Sequence, residues 1–415
     1  MSNSRSMDLF DHICDASLLI FFPVLVVLGT NAKKFFIPVE ILFLSVFTIR
    51  FFVKRSTLSL YTIWTIGLSL LALVSTTYAP NQTAAMRWAI SVIQVVIFGN
   101  LLVPYFRDDK RNVHVFFLSF ILSAVGLGFR LWMSAPPEQL MNTRLGESIG
   151  FNANFVGFIF AIAALINLYY VILEKRWIAL PLFFVLSVIG LFSGSRKTMI
   201  ILFVGIVLLS ILSSRKPHTI FISMILSLLF VAGFLLISFQ WEPLKNIIGY
   251  RIQIFLTTFT GQSIDASANE RIEMIRLGID MIKQKPFFGW GLHAFSDLEK
   301  FGVYSHNNYI EIAVSWGMFG LIWYYLFLGY VIIKGIGILL SRHRTSLVVF
   351  SVMMLLILCL DDFGRVRFYD EVSHILYALC YAIIVMHLPL RGIDIISLLI
   401  KPFQRFIHIK SLRQE

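Results

Sequence analysis

The residues best suited to chemistry fall in one stretch, Ser267 to Gly320. It holds Ser267-Ala-Asn-Glu270-Arg271, an amphipathic run to Lys285, Pro286-Phe-Phe-Gly-Trp290-Gly291, and Tyr304-Ser-His306-Asn307 followed by Gly317 and Gly320. An imidazole titrates near neutral pH and can take a proton from a hydroxyl, so His306 is a candidate general base. An interfacial histidine that satisfies a hydrogen bond is the equal alternative. Ser267 and Glu270 have capping-box spacing, which puts Arg271 in the first turn of a helix. The helix dipole already presents positive potential there, so a cation is unfavourable unless an anion joins it. Arginine at a helix N-terminus suits a phosphate. Arg276, with Glu273 and Asp280 at i−3 and i+4, reads as a partner in surface ion pairs. Ser305 and Asn307 read as caps of the following helix, and Glu311 complements its dipole.

Two further groups stand out upstream. Ser193-Gly-Ser195-Arg196-Lys197 is a turn so tight that both cations must sit at membrane depth; they are offset by a bound anion or by lipid phosphates, and the two readings stand equally. Asn152 and Asn154 open an apolar run after a loop containing Arg144 and Glu147. Capping accounts for one amide at such a position more easily than for two.

The elements that position these residues are oily. Of 415 residues, 58% are hydrophobic and 14% charged, and the mean hydropathy is +0.82. Soluble domains carry roughly 25% charged residues, so the composition is that of a polytopic membrane protein. Twelve apolar runs recur, at about 16–31, 35–52, 60–78, 88–106, 113–133, 152–173, 177–193, 198–212, 219–239, 308–333, 345–360 and 373–388. The expected fold is all-α, with about twelve transmembrane helices and one large extracytoplasmic loop containing an amphipathic helix. In order, these are helices one to nine over 1–239, the loop over 240–307, helices ten to twelve over 308–390, and a basic tail over 391–415. Within the loop, Ile272, Ile275, Ile279 and Ile282 recur at helical intervals before Pro286 ends the run, predicting a helix along the membrane surface. The first apolar run lacks a small-residue cleavage site and reads as a retained helix.

Orientation follows from the basic residues. With the N-terminus inside, the inner loops hold eleven, among them Lys54, Arg107, Lys175, Arg215 and Arg342, and the outer loops hold eight, including Arg144, Arg196, Lys197, Arg365 and Arg367. That bias places both termini in the cytoplasm. The net charge of +12 is spread over loop ends and does not point to nucleic acid. The tail after Arg391 suits a helix on an anionic inner leaflet.

Other polar positions have plain readings. Arg50, near a helix end, reads as snorkelling to headgroups, whereas Glu40 and Gln94 could line a cavity. Asn81-Gln-Thr83 matches a glycosylation acceptor, a short pattern that recurs by chance. The acidic and basic residues of Asp361 to Glu371 read as mutually paired. Cys14, Cys359 and Cys380 form neither a disulfide framework nor a metal spacing.

On four features the chain resembles the O-antigen ligase and O-antigen polymerase superfamily of bacterial envelopes. These are the twelve-span layout, the long outer loop between spans nine and ten, Ser195-Arg196 in the tight turn, and His306-Asn307 followed by Gly317 and Gly320. The firm part covers about 190 to 325, with Pro286-Phe-Phe-Gly289-Trp-Gly291 as a similar lead-in. The resemblance implies a multi-pass glycosyltransferase of the bacterial inner membrane that uses an undecaprenyl-diphosphate-linked glycan on the outer face. It implies catalytic roles for Arg196, Arg271 and His306. Substrate binding would draw on Lys197, Arg144, Asn152, Asn154, Arg276, Asn307, and the aromatics Trp290, Tyr304 and Tyr309. The expected partners are the lipid-linked donor, an acceptor glycan or lipid A core, membrane lipids and a chain-length regulator. No cofactor and no metal are expected, since the first outer loop, Thr30 to Phe36, lacks a carboxylate.

Within the family, a polymerase joins repeat units and a ligase hands a finished chain to lipid A core. Ser305-His-Asn-Asn-Tyr-Ile-Glu311 leans toward the polymerase. A third reading, from another class, is a flippase for the same lipid-linked glycan. Transporters often carry matching interrupted halves, whereas the polar residues here concentrate in one outer loop.

Overall fold

The computed structural model describes residues 9–388 apart from 30, 31, 55, 57, 135–144, 147–149, 215 and most of 241–265. Every regular element among the described residues is helical: α1 (Leu9–Leu28), α2 (Lys33–Val53), α3 (Leu60–Thr76), α4 (Gln82–Asp108), α5 (Lys110–Ser134), α6 (Ala153–Ile172), α7 (Leu180–Phe192), α8 (Arg196–Ser213), α9 (Pro217–Gln240), α10 (Ala266–Gln284), α11 (Ala294–Leu298), α12 (Asn308–Leu340), α13 (Ser346–Asp361) and α14 (Glu371–Met386). Each of the twelve apolar runs coincides with one of these helices. Seven of them, α1, α2, α4, α5, α6, α8 and α12, are long and apolar enough to cross a membrane, and α3, α7, α13 and α14 are shorter apolar helices. The chain is therefore a multi-pass membrane protein, all-helical in its described residues.

Helix α6 is the most enclosed of the seven, with 83% of its apolar window buried. It packs against α5, α7 and α8. Small residues let those backbones approach: a Cβ on Gly157 would lie 1.9 Å from the Thr198 hydroxyl, and one on Gly205 would meet Leu165 at 2.5 Å. Close packing of this kind holds helices together in lipid, where the solvent is as apolar as the side chains. On the other side of the bundle α14 packs on α4, and α12 on α3 and α13.

The two ends of the bundle carry different polar sets. At one end, Lys54 pairs with Asp11 at 3.4 Å and Arg111 with Asp15. Arg50 does not snorkel. It is 2% exposed and pairs with Asp108 at 2.5 Å, because packing against Tyr105 encloses it before it can reach a headgroup. Glu40 and Gln94 are hydrogen-bonded to each other. The opposite end gathers the Ser193–Lys197 turn, the start of α12 and the loop between α13 and α14. Asn81 is there too, as the cap of α4, accepting the amide of Ala84.

What fixes this end is a break in α12. Gly317 takes φ 67° and ψ −168°, outside helical geometry and open to glycine alone. The interruption frees backbone groups, and the turn and following segment Pro286–Gly291 bond to them. Met318 N donates to Pro286 O at 2.7 Å and Phe319 N to Phe287 O at 3.3 Å, while Trp290 N reaches Val314 O at 2.7 Å and Gly291 N reaches Ser315 O at 2.9 Å. A Cβ at Gly317 would lie 2.2 Å from Phe287 O, and one at Gly289 would lie 2.4 Å from Val314 O. Three of the glycines picked out by the motif are thus the seam between the Pro286–Gly291 segment and α12.

Helix α10 is carried by that seam. It starts at Ala266, one residue before Ser267, so Arg271 lies in its second turn and the dipole acts on it less than a first-turn position implies. The buried face is Met274, Gly278 and Met281, packed on Ile310 and Val314, with Ile282 partly buried against them. Ile272 and Ile279 are 61% and 42% exposed. Gly278 decides this, because the lack of a side chain there lets Ile310 of α12 come in. The ion pairs expected around Arg276 also form differently: Glu273 bonds Lys300 at 2.7 Å and Asp280 bonds Lys283 at 3.0 Å.

Candidate active site

A cavity of about 370 Å³ opens where α4, α6, α8, the His306 turn and the α13–α14 loop meet. Its cationic side is formed by Lys197 and Arg365, its polar floor by Asn152, Asn154 and His306, and its aromatic wall by Trp88, Tyr304 and Tyr369. Five residues singled out from the sequence therefore come together here: Lys197, Asn152, Asn154, Tyr304 and His306.

Each is held by local structure. Asn152 caps α6, accepting the amide of Asn154 at 2.8 Å, and the Asn154 carbonyl accepts the Ser195 hydroxyl at 2.8 Å. The second amide thus ties the tight turn to the start of α6. Arg196 is the first residue of α8, and among the described residues it is Lys197 that faces the cavity. The Lys197 stem lies over Gly364, where a Cβ would be 2.5 Å from its Cε.

His306 sits in the left-handed region at φ 55°, an uncommon conformation for a residue with a Cβ. The turn around it is heavily bonded. Ser305 N donates to Glu311 at 2.8 Å, Ser305 Oγ donates to Asn307 O at 2.9 Å, and Asn307 caps α12 by accepting Ile310 N at 3.1 Å. The imidazole packs on Tyr304 with ring centroids 4.4 Å apart. Burial pushes its pKa down to about 4, and the positive charges of Arg271 and Lys197 add to the effect. Arg271 thus acts electrostatically on the cavity. The ring is neutral at physiological pH, the form that accepts a proton. Burial also raises the Tyr304 hydroxyl above its ordinary value, which keeps it a hydrogen-bond donor.

Other predicted residues lie elsewhere. Tyr309 turns inward, donating to Cys359 O at 2.8 Å and stacking on Tyr325. Trp290 lies beneath α10, its indole donating to Met281 O at 2.9 Å under the Lys285 ammonium. Arg276 is on the exposed face of α10. Arg144 lies outside the described residues.

The α13–α14 loop contributes more than its sequence suggested. Its charges are mutually paired, with Arg367 bonded to Asp361 and Ser373 and 3.0 Å from Asp362. Asn308 donates to Asp362 and accepts Arg367 N, pinning the loop to the start of α12. Arg365 is different. It pairs with Asp370 at 2.5 Å and lies over the rings of Phe155 and Phe158, but its buried Nη1 has no hydrogen-bond partner. Arg365, Trp88, Tyr369 and Glu371 were not read as site residues. The signal for Arg365 was its expected place in an outer loop, where a cation is disfavoured.

Trp88 and the tyrosines also wall a second cavity of about 220 Å³. His293 and Glu311 line it, and His293 Nδ1 bonds Asp297 at 2.9 Å.

The arrangement can hold an anion between Lys197, Arg365 and the field of Arg271, beside a neutral imidazole and aromatic faces suited to sugar rings. No curated protein matches the chain. A family model described as O-Antigen ligase matches residues 181–325, from α7 through the Ser193–Lys197 turn, α10 and His306 to the first half of α12. Over that segment the chain is similar to a glycosyltransferase-like membrane enzyme family, and the match supports the resemblance of its motif to the O-antigen ligase and polymerase superfamily.

Proposed function

We propose that this protein transfers a glycan from undecaprenyl diphosphate to a sugar hydroxyl on the outer face of the bacterial inner membrane, without a metal, and that it is a repeat-unit polymerase. All twelve apolar helices cross the bilayer in this reading, with both termini inside. The single observation that carries it is the cavity in which the cations Lys197 and Arg365 face His306 and Tyr304.

The diphosphate binds on the cationic side, with Arg271 and Arg196 adding charge, and guanidinium–phosphate pairing fixes its orientation. The acceptor oxygen attacks the anomeric carbon while the bond from that carbon to the phosphate oxygen breaks. The electron pair leaves with the diphosphate, whose growing charge the cations stabilise. The acceptor proton passes to the His306 imidazole. Binding the anionic donor offsets the charges of Arg271 and Lys197, so the donor itself strengthens His306 as a base. Donor binding and base activation are then one event.

A ligase that hands the chain to lipid A core is the second reading, favoured by the description of the matching family. The test is purified protein in liposomes with undecaprenyl-diphosphate repeat unit as the only glycan. A ladder of longer lipid-linked chains, lost in His306→Ala and Arg271→Ala, supports the polymerase. Transfer only after lipid A core is added makes it a ligase. Movement of intact donor across the bilayer without transfer supports a flippase.

A further inference from the structure

We propose that the second cavity is the acceptor subsite, and that it takes one neutral sugar ring carrying no phosphate. The inference rests on the glycosyltransferase reading and adds the chemical class of the acceptor.

The two cavities share Trp88, Tyr304 and Tyr369, so a ligand spanning them crosses a wall of aromatic faces. Their charges differ. The first holds Lys197 and Arg365 together with Asp370 and Glu371, whereas no lysine or arginine lines the second among the described residues. The second has Glu311 with no lysine or arginine beside it in the lining, and a histidine already bonded to a carboxylate. An anionic group placed there meets negative charge and leaves its counterions behind, which is unfavourable in a partly enclosed space. A neutral ring meets what sugars need, apolar faces for its C–H groups and polar groups for its hydroxyls. The volume of about 220 Å³ lies below the roughly 300 Å³ from which drug-sized pockets start, so it fits a single ring rather than a chain.

The geometry is built rather than incidental. His293 is held at φ 66° as the residue before α11, with its ring stacked 5.8 Å from Trp88 and Nδ1 tied to Asp297. A left-handed backbone at a histidine stores strain, which gathers at ligand clamps. Tyr304 touches His306 and borders both cavities, so a ring in the second presents a hydroxyl past Tyr304 toward the base.

The test is saturation-transfer NMR on the full chain in nanodiscs, with no donor and no turnover. The probe is a repeat-unit oligosaccharide cut from the producing strain's own surface polysaccharide, free of lipid and phosphate. Binding should weaken at least tenfold in His293→Ala and in Ser296→Trp, which fills the cavity, and hold within twofold in Lys197→Met. Unfolding midpoints confirm that each variant is folded. Absence of binding to the unchanged protein overturns the proposal. So does equal loss in Lys197→Met, retention in both cavity variants, or tighter binding of the same oligosaccharide once phosphorylated. Failure of the transferase reading appears separately, as absent turnover in the liposome assay.

Discussion

Gly317→Ala tests whether the break in α12 holds the outer segment in place. The new methyl would sit 2.2 Å from Phe287 O and 2.5 Å from Phe288 N, which are backbone atoms that cannot swing aside. Backbone strain in this glycine-only region costs about 1–3 kcal/mol. Relieving the clash pulls Pro286–Phe288 away and breaks the bonds from Met318 and Phe319, each contributing about 1 kcal/mol. The combined loss is about 3–5 kcal/mol, a large share of the usual margin of stability of about 5–15 kcal/mol. The matched control is Gly337→Ala on the same helix, where a Cβ meets nothing within 4 Å. Unfolding midpoints in one detergent, with limited trypsin cleavage after Lys283, read the outcome. Gly337→Ala should match or slightly exceed the unchanged protein, since alanine favours helix, while Gly317→Ala melts lower and is cut faster after Lys283. Equal midpoints and equal cleavage for the two variants would refute the argument that the seam anchors α10.

Further outcomes follow from the site. Lys197→Met and Arg365→Met should each weaken binding of undecaprenyl diphosphate about 10–100-fold, the range for a hydrogen bond to a charged group, in a nanodisc binding assay; unchanged affinity in both would place the anion elsewhere. His306, whose folded value of about 4 lies below the ordinary value of about 6.5, binds its proton more readily in the unfolded chain. Stability should therefore fall as pH drops through that window, and His306→Gln should flatten the fall; identical midpoint-versus-pH curves would contradict the assignment. Arg367→Met leaves Asp361 and Asp362 buried without their cation, a loss of about 3–5 kcal/mol read as a collapsed unfolding midpoint, whereas a stable variant would show that the loop does not depend on the cluster.

The sequence was informative where periodicity or a special backbone rule applied. Apolar runs located the helices because bilayer thickness sets their length. The glycines at 289, 291 and 317 marked a backbone seam, although spacing alone does not say which segment fills the break. Arg50 was misread because its place depends on a partner far along the chain, Asp108, and the face that α10 turns to Ile310 was not legible for the same reason. Arg365 was hidden by company, since a loop with both signs of charge satisfies the eye before any particular pairing is known. Trp88 and Tyr369 look like ordinary interfacial aromatics until two helices distant in sequence, α4 and α14, are brought together.

The seam in α12 also bears on how the protein is made. A chain threaded into a membrane emerges from its N-terminus, so Pro286–Gly291 reaches the membrane before the residues that will receive it, Val314–Phe319. The outer segment must wait with open amides and carbonyls until α12 is inserted. Arg365 and Tyr369 come later still, from the last loop but before the last helix. Assembly of this cavity is therefore a late step of biogenesis, and a ribosome stalled at residue 340 would leave a bundle largely in place with no working site.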